Sequence, residues 1–585
     1  MEARDSLSRS DSVSRMRQRG PAAILAALFA IAVAVAPAPA LGHGPGGTQR
    51  AAAKGKAKIP SISNMPYKPD PAIEAIPPQP DPEAIPKANP TKQYNAYDLN
   101  AYETIWFPHR QAADESSEDE PGGAVTHGNC PEENCANHAL EFRKFWLETM
   151  APLVKPFGGV VHSYDFFSEG NGIPEGGPLA SPAGDTFNLQ ATIPGATHPE
   201  QMVIVSGHWD QTDSGPASAW DSAEGHATVF RIAKIMTDYW KKTGTRPDVS
   251  VKFTAWGAEE AGTFGSIAFV RDNLTPFPSL RVRGYFNLDP CAGAYPAYYR
   301  GNPADRVPMV MQLANPEKQA SPEVVKNMED FNKQARDIVG DVFNHLDDTL
   351  SDVPTEPEIF VSDEEAEKAG VASQEPEVVT AVGGLAAFSS DYRNFEQIGV
   401  PIFNLFPDMF GPHADESYTG YRSDGIGLLH TPNDNLLQLN ALTGIDQSGL
   451  TPSQGWYKGL ELCAHMHSWF MLQPNMGGAV KRTSAPVAYF EGIPKDPAPI
   501  APGKVIEFDA HGSYAFSNAK KLRRVPDKKL RYKWSFGDGS KASGPVATHA
   551  FSKTGLVTLT VKAPGGKKDV MRQIVMITPE AQPAG

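Results

Sequence analysis

A chain of 585 residues has room for two or three domains, and 40% hydrophobic residues can supply a large core. A formal net charge of −15 argues against nucleic acid as a partner, because phosphate recognition needs a basic face. Charge does not select a substrate, since bound cations set the local field wherever they sit.

The first element in the chain is an expected export signal. Arg15, Arg17 and Arg19 form a basic edge, 21–37 is an uncharged apolar run, and Ala38-Pro39-Ala40 supplies the small residues of a cleavage site. The run is short for a membrane span. No cysteine lies at the cleavage site to carry a lipid. A secreted, periplasmic or extracellular location is therefore expected, with 1–40 as signal peptide. Residues 41–124 are rich in Pro, Ala and Lys and include the acidic loop 114–123, a composition that favours weakly ordered chain. Of the four cysteines, Cys130 and Cys135 flank a short loop that a disulfide would close in an oxidising compartment. Cys291 and Cys463 are too far apart for pairing to be read.

From 125 to 480 the text is globular. Helices are expected over 138–154, 222–242, 263–272 and 453–470, and strands over 187–193, 202–206, 249–255, 283–288 and 400–406. Alternating strands and helices imply an α/β fold, a three-layer sandwich with a mostly parallel central sheet. Between Asp289 and Phe388 no strand is obvious. A long helix over 321–348 and an acidic stretch over 351–376 make 295–385 an insertion near the mouth of the site, either decorative or covering the substrate. From 484 to 580 short alternating strands, with a Gly-Asp-Gly turn, imply a C-terminal all-β immunoglobulin-like sandwich with core candidates Phe508, Trp534, Phe536 and Phe551. Residues 483–502 read as its joining segment. Such a domain should fold alone and be dispensable for small substrates.

Five short motifs stand where strands should end: GHWD (His208, Asp210), AWDS (Asp221), GAEE (Glu259, Glu260), NLD (Asp289) and LLHTPND (His430). Each has an ordinary explanation. Asp221 could cap a helix, and Glu259 and Glu260 suit a helix N-terminus. Asp289, however, precedes Pro290 and has no helix to cap. Together the five place oxygen and imidazole donors on the rigid ends of buried strands, which is what divalent metals need. Two divalent ions bring four positive charges. Asp221, Glu260 and Asp289 answer three of them, and two neutral imidazoles complete the set. Without metal the clustered carboxylates would repel one another and rise in pKa.

The stretches NLQATIPG, VIVSGHWD, WDSAEG, FTAWGAEEAGTFGS, FNLD, SSDYRNFEQIGVP and LLHTPNDN resemble the di-zinc exopeptidases of the bacterial leucyl aminopeptidase and aminopeptidase Y type, over roughly 140–470. The resemblance implies two Zn²⁺ per chain, with His208 and Asp289 on one, Glu260 and His430 on the other, and Asp221 between them. It also implies Glu259 as general base, Asp210 as orienting carboxylate and a cis peptide at Asp221-Ser222. The implied activity is hydrolysis of terminal peptide bonds in peptides or proteins by a two-metal-activated water, with aminopeptidase preferred over carboxypeptidase. Ser222 departs from the Asn or Asp usual in the family, and the insertion is long, so substrate choice stays open. WSFGDGS (534–540) and the later 555–558 run resemble a PKD (polycystic kidney disease) domain, which implies a spacer or a contact for protein or polysaccharide surfaces.

Two other readings share this fold. A glutaminyl cyclase uses one zinc and lacks the first histidine, which His208 opposes. A binding protein that has lost its site should lack ligands, and all five metal positions are filled here. His465 and His467 lie two apart on a helix and suit packing or surface roles. His226 suits core or surface, and His413 suits a loop. Oligomeric state is not legible.

Overall fold

The computed structural model describes residues 70–74, 97, 110, 139–170, 183–212, 218–291, 309–350, 358–360, 390–407, 434, 452–494 and 497–578. The export signal and the Cys130–Cys135 pair lie outside the described residues. Among those described, no helix is long and apolar enough to cross a membrane.

The elements of the first domain run α1 (Pro71–Glu74), α2 (Ala139–Val154), β1 (Val160–Ser168), β2 (Gly184–Ile193), β3 (His198–His208), α3 (Glu224–Thr243), β4 (Val249–Trp256), α4 (Phe264–Phe269), β5 (Arg281–Asn287), β6 (Met309–Leu313), α5 (Pro322–Leu350), β7 (Glu358–Phe360), α6 (Tyr392–Gln397), β8 (Ile402–Pro407) and α7 (Pro452–Met471). The strands form one eight-stranded sheet in the order β1-β2-β4-β3-β5-β8-β6-β7. Its centre, β4-β3-β5-β8, is parallel, while β1, β2 and β6 pair antiparallel to their inner neighbours.

Period-two alternation divides β3 and β4 between two cores. Val203, Val205, Val251 and Phe253 join the cluster under α2, α3 and α7. Met202, Ile204 and Trp256 face the other way, toward Phe269 of α4 and Phe395 of α6. Helix α3 buries Val229, Ile232, Ala233, Met236 and Trp240 on one stripe, and it stops at Gly244 (φ 71°), whose N–H bonds the Trp240 carbonyl. These layers agree with the α/β sandwich expected from sequence.

The insertion is a correction. It carries β6 and β7, and β6 pairs with β8, so this segment widens the sheet. Only five apolar-polar residues, Met309–Leu313, make β6, too short a run to separate from loop by pattern. Part of the expected weakly ordered 41–124 segment is also packed: Ile73 and Tyr97 join the main core, and Asp70 and Arg110 are buried.

The C-terminal domain contains β9 (Glu491–Pro494), β10 (Val505–Asp509), β11 (Arg531–Ser535), β12 (Lys541–Ser543), β13 (Val546–Ala550), β14 (Gly555–Lys562) and β15 (Lys568–Val575). They form the sheets β9-β10-β13 and β12-β11-β14-β15. Phe508, Trp534, Phe536 and Phe551 are all in its core, as expected. The joining segment is not a tether, because Glu491–Pro494 is a strand of the sandwich. Nor is the core self-contained: Phe277, from the chain after α4, is buried in it. The backbone N–H groups of Ile574 and Met576 donate to Ser279 Oγ and the Pro276 carbonyl, each at 2.8 Å. Lys252, buried on β4, donates to Gln190, Thr192 and, at 2.9 Å, to Glu491 Oε1 on β9. The β-sandwich therefore covers part of one face of the α/β sheet.

Candidate metal centre

Strand β3 is buried along its inner half, and its polar tip lies at the carboxyl end of the parallel strands. His208 and Asp210 are fully buried there. His208 Nδ1 donates to the Asp210 carbonyl at 3.1 Å, which turns Nε2 outward. Nε2 lies 2.9 Å from Asp221 Oδ1 and 3.1 Å from Asp289 Oδ1. Burial disfavours a charged imidazole, but Asp289, Asp210 and Asp221 outweigh it and hold the His208 pKa well above its ordinary value.

Asp221 lies in a tight turn, Ala219–Ala223, and the peptide after it is cis. It does not cap α3: the cap position is Ala223, with no side-chain bond, so the ordinary explanation for this aspartate fails. The turn is held from elsewhere. Asp434 is fully buried, and its carboxylate accepts the backbone N–H of Trp220 at 2.8 Å and of Asp221 at 3.0 Å. Gly225 brings the turn against β5, where a Cβ would collide with the Leu288 carbonyl.

Asp289 follows β5, and two anchors hold its turn. Buried Glu224 accepts the Cys291 N–H, and Cys291 is disulfide-bonded to Cys463 on α7. Sequence offered no pairing for these cysteines, which stand 172 residues apart.

Glu259 and Glu260 occupy a turn after β4, ahead of α4 rather than on it. Their backbone N–H groups donate to Asp210 Oδ1 (3.1 Å) and Oδ2 (3.2 Å). One carboxylate thus grips two consecutive amides and fixes both glutamates relative to His208. Desolvation, with Asp289, Glu260 and Asp391 adding repulsion, pushes the Glu259 carboxyl well above its usual range, while His208 opposes the shift. Asp391 is buried behind this turn, accepts from Ser266 Oγ at 2.5 Å, and is pushed up to about 8 by burial, Asp289 and Asp210 against the Ser266 bond.

Two overlapping groups could hold cations: His208, Asp221 and Glu260; and His208, Glu259 and Asp289. Within each, one donor atom per residue lies within 4.8 Å of the others. An imidazole aimed among carboxylates that repel one another is a donor set that divalent metal completes, so these residues fit zinc. The second group includes Glu259 rather than Glu260, a different partition from the one the family resemblance implies. His430 and His413 lie outside the described residues. His465 and His467 are buried, and burial lowers the His467 pKa to about 4, so both belong to packing. His226 is also core, with Nδ1 3.2 Å from the His208 carbonyl.

Residues 188–353 match the model of peptidase family M28, and 484–578 match that of the PKD domain. By these matches the chain holds a stretch of M28 peptidase type followed by one of PKD type. Over 113 residues it is 32% identical to leupeptin-inactivating enzyme 1 of Streptomyces exfoliatus, covering 19% of this chain and 24% of that protein. Over 90 residues it is 37% identical to bovine (Bos taurus) carboxypeptidase Q, covering 15% and 18%. Over 102 residues it is 34% identical to aminopeptidase NAALADL1 of Mus musculus, covering 17% and 13%. The chain thus spans less than a quarter of the length of these relatives. Among solved structures, it is similar to LapB from Legionella pneumophila, with 14% identity, 72% and 78% coverage and a TM-score of 0.35. The match to the M28 model contains His208, Asp210, Asp221, Glu259, Glu260 and Asp289. Asp434 and Asp391 lie beyond it and were not singled out in the sequence, though each sits in a stretch quoted above, LLHTPNDN and SSDYRNF.

Proposed function

We propose that the protein is an exported zinc-dependent exopeptidase that removes residues from the amino terminus of peptides. The observation that carries this reading is the convergence of His208, Glu259, Glu260 and Asp289, from three strand ends, and of Asp221, from the turn before α3, into two overlapping donor groups that share His208. His208, Asp221, Glu260 and Asp289, with His430, would hold two zinc ions, which when bound lower the pKa of water and polarise a scissile carbonyl.

The chain's own groups do the rest. Glu259 takes the proton of the attacking water and returns it to the departing amine, a transfer worth about 10²–10⁴-fold. Asp210 holds the amides of Glu259 and Glu260. The choice of the amino end follows the aminopeptidase resemblance, which aminopeptidase NAALADL1 among the relatives supports.

A paired assay tests this. Zinc-loaded enzyme is given leucyl-p-nitroanilide, which has a free amine, and an amine-blocked dipeptide with a free carboxylate. Release from the first and none from the second is expected. The opposite preference would make the enzyme a carboxypeptidase, and release from neither would remove the exopeptidase reading.

A further inference from the structure

The segment before the M28 domain reaches the metal centre. Its first described contact is Asp70, whose carboxylate accepts the Ala72 N–H and lies 3.6 Å from both Arg231 and Lys234 on α3. Ile73 and Tyr97 enter the main core. Its last is Arg110, which is fully buried.

Arg110 meets the chain on both sides of Asp210. Its Nε donates to the Trp209 carbonyl at 2.8 Å, and its own carbonyl accepts the Gln211 N–H at 3.1 Å. The guanidinium lies 5.9 Å from the centre of the Phe142 ring, which in turn lies 4.9 Å from His226. Trp209 is held independently, stacked on Phe187 at 4.5 Å and bonded through its backbone N–H to the Trp256 carbonyl. The residue between these anchors is the carboxylate that grips Glu259 and Glu260.

We infer that Arg110 is a positioning residue for the metal centre, and that the segment bearing it is a working part of the peptidase rather than a spacer. This rests on the zinc-peptidase reading. Burying a guanidinium costs several kcal/mol, and an apolar side chain would fill the same space more cheaply. What arginine alone supplies is a rigid planar donor that fixes the direction of the bond it makes. Here that bond sets the strand tip, the tip sets Asp210, and Asp210 sets the two glutamates.

The test uses the full chain with Arg110→Met and Arg110→Lys. The first removes the donor; the second keeps the charge and loses the fork. Zinc affinity is measured by competition with a chromophoric chelator, beside thermal melting of the metal-free protein. Groups that orient metal ligands typically cost about 10–100-fold in affinity when lost. Arg110→Met is expected to fall in that range and Arg110→Lys near its lower end. If Arg110→Met does not fold, Arg110→Lys decides. Zinc affinity within twofold of wild type in the folded variant overturns the inference, even if the metal-free protein melts lower, since that pattern marks packing alone. A wild-type chain that binds no zinc would refute the metal centre itself, a separate failure.

Discussion

Glu491→Gln tests how firmly the C-terminal domain is joined to the M28 domain. Glu491 accepts from Lys252 at 2.9 Å and from the Tyr489 hydroxyl at 2.6 Å, and His162 lies 3.5 Å away. Burial alone would raise its pKa. Lys252, His162 and Tyr489 outweigh that and bring it from the ordinary 4.5 down to about 2. At about 1.4 kcal/mol per unit, this difference is worth about 3 kcal/mol of folding stability. A depressed carboxyl pKa stabilises the fold above the unfolded value. The contribution is therefore complete above about pH 4.5 and is lost as the pH falls toward about 2. Neutralising Glu491 also leaves the Lys252 ammonium buried on a central strand without its anion, a defect that typically costs about 3–5 kcal/mol. Urea unfolding at pH 7 should show a loss of about 3 kcal/mol, shrinking as the pH falls from about 4.5 toward about 2. The double variant Lys252→Met/Glu491→Met should recover most of it. A loss below about 1 kcal/mol at pH 7, or one unchanged in acid, would refute the argument. A chain ended at residue 480 loses this anion and uncovers Phe277, so it should fail to fold, contrary to what composition suggested.

Three further outcomes follow from the site. Glu259→Gln should retain zinc and lose about 10²–10⁴-fold in kcat, whereas Glu260→Gln should lose zinc affinity as well; equilibrium dialysis with single-substrate kinetics separates them. Asp210→Asn should weaken zinc binding about 10–100-fold without contacting metal, read by chelator competition; unchanged affinity would remove its orienting role. Asp434→Ala orphans the buried amides of Trp220 and Asp221, at about 1–3 kcal/mol each, and should lower both melting temperature and zinc affinity.

His208, Glu259, Glu260 and Asp289 were legible because each stands where an apolar strand gives way to polar text, and a buried strand end leaves few other roles for an acid or histidine; Asp221, expected at a strand end, lies instead in the turn before α3. The supporting residues were not. Arg110 is one arginine in a stretch whose composition reads as loose chain. Asp434 is one aspartate in a polar loop, and only the folded turn shows which amides it serves. Lys252 interrupts VSVKFTAW at a position that alternation places on a sheet face, but sequence does not say what covers that face. The Cys291–Cys463 bond joins positions whose proximity exists only once α7 has packed across the sheet. Local pattern carries the chemistry here; the contacts that aim it are long-range.

The central claim is that these side chains form one metal centre on which hydrolysis depends. Titration of metal-free protein with zinc, followed by calorimetry and by leucyl-p-nitroanilide hydrolysis in the same samples, tests it most directly. The account predicts two zinc ions bound per chain, with activity rising as the sites fill. Hydrolysis at full rate by protein verified free of metal, or no zinc binding by folded protein, would contradict it.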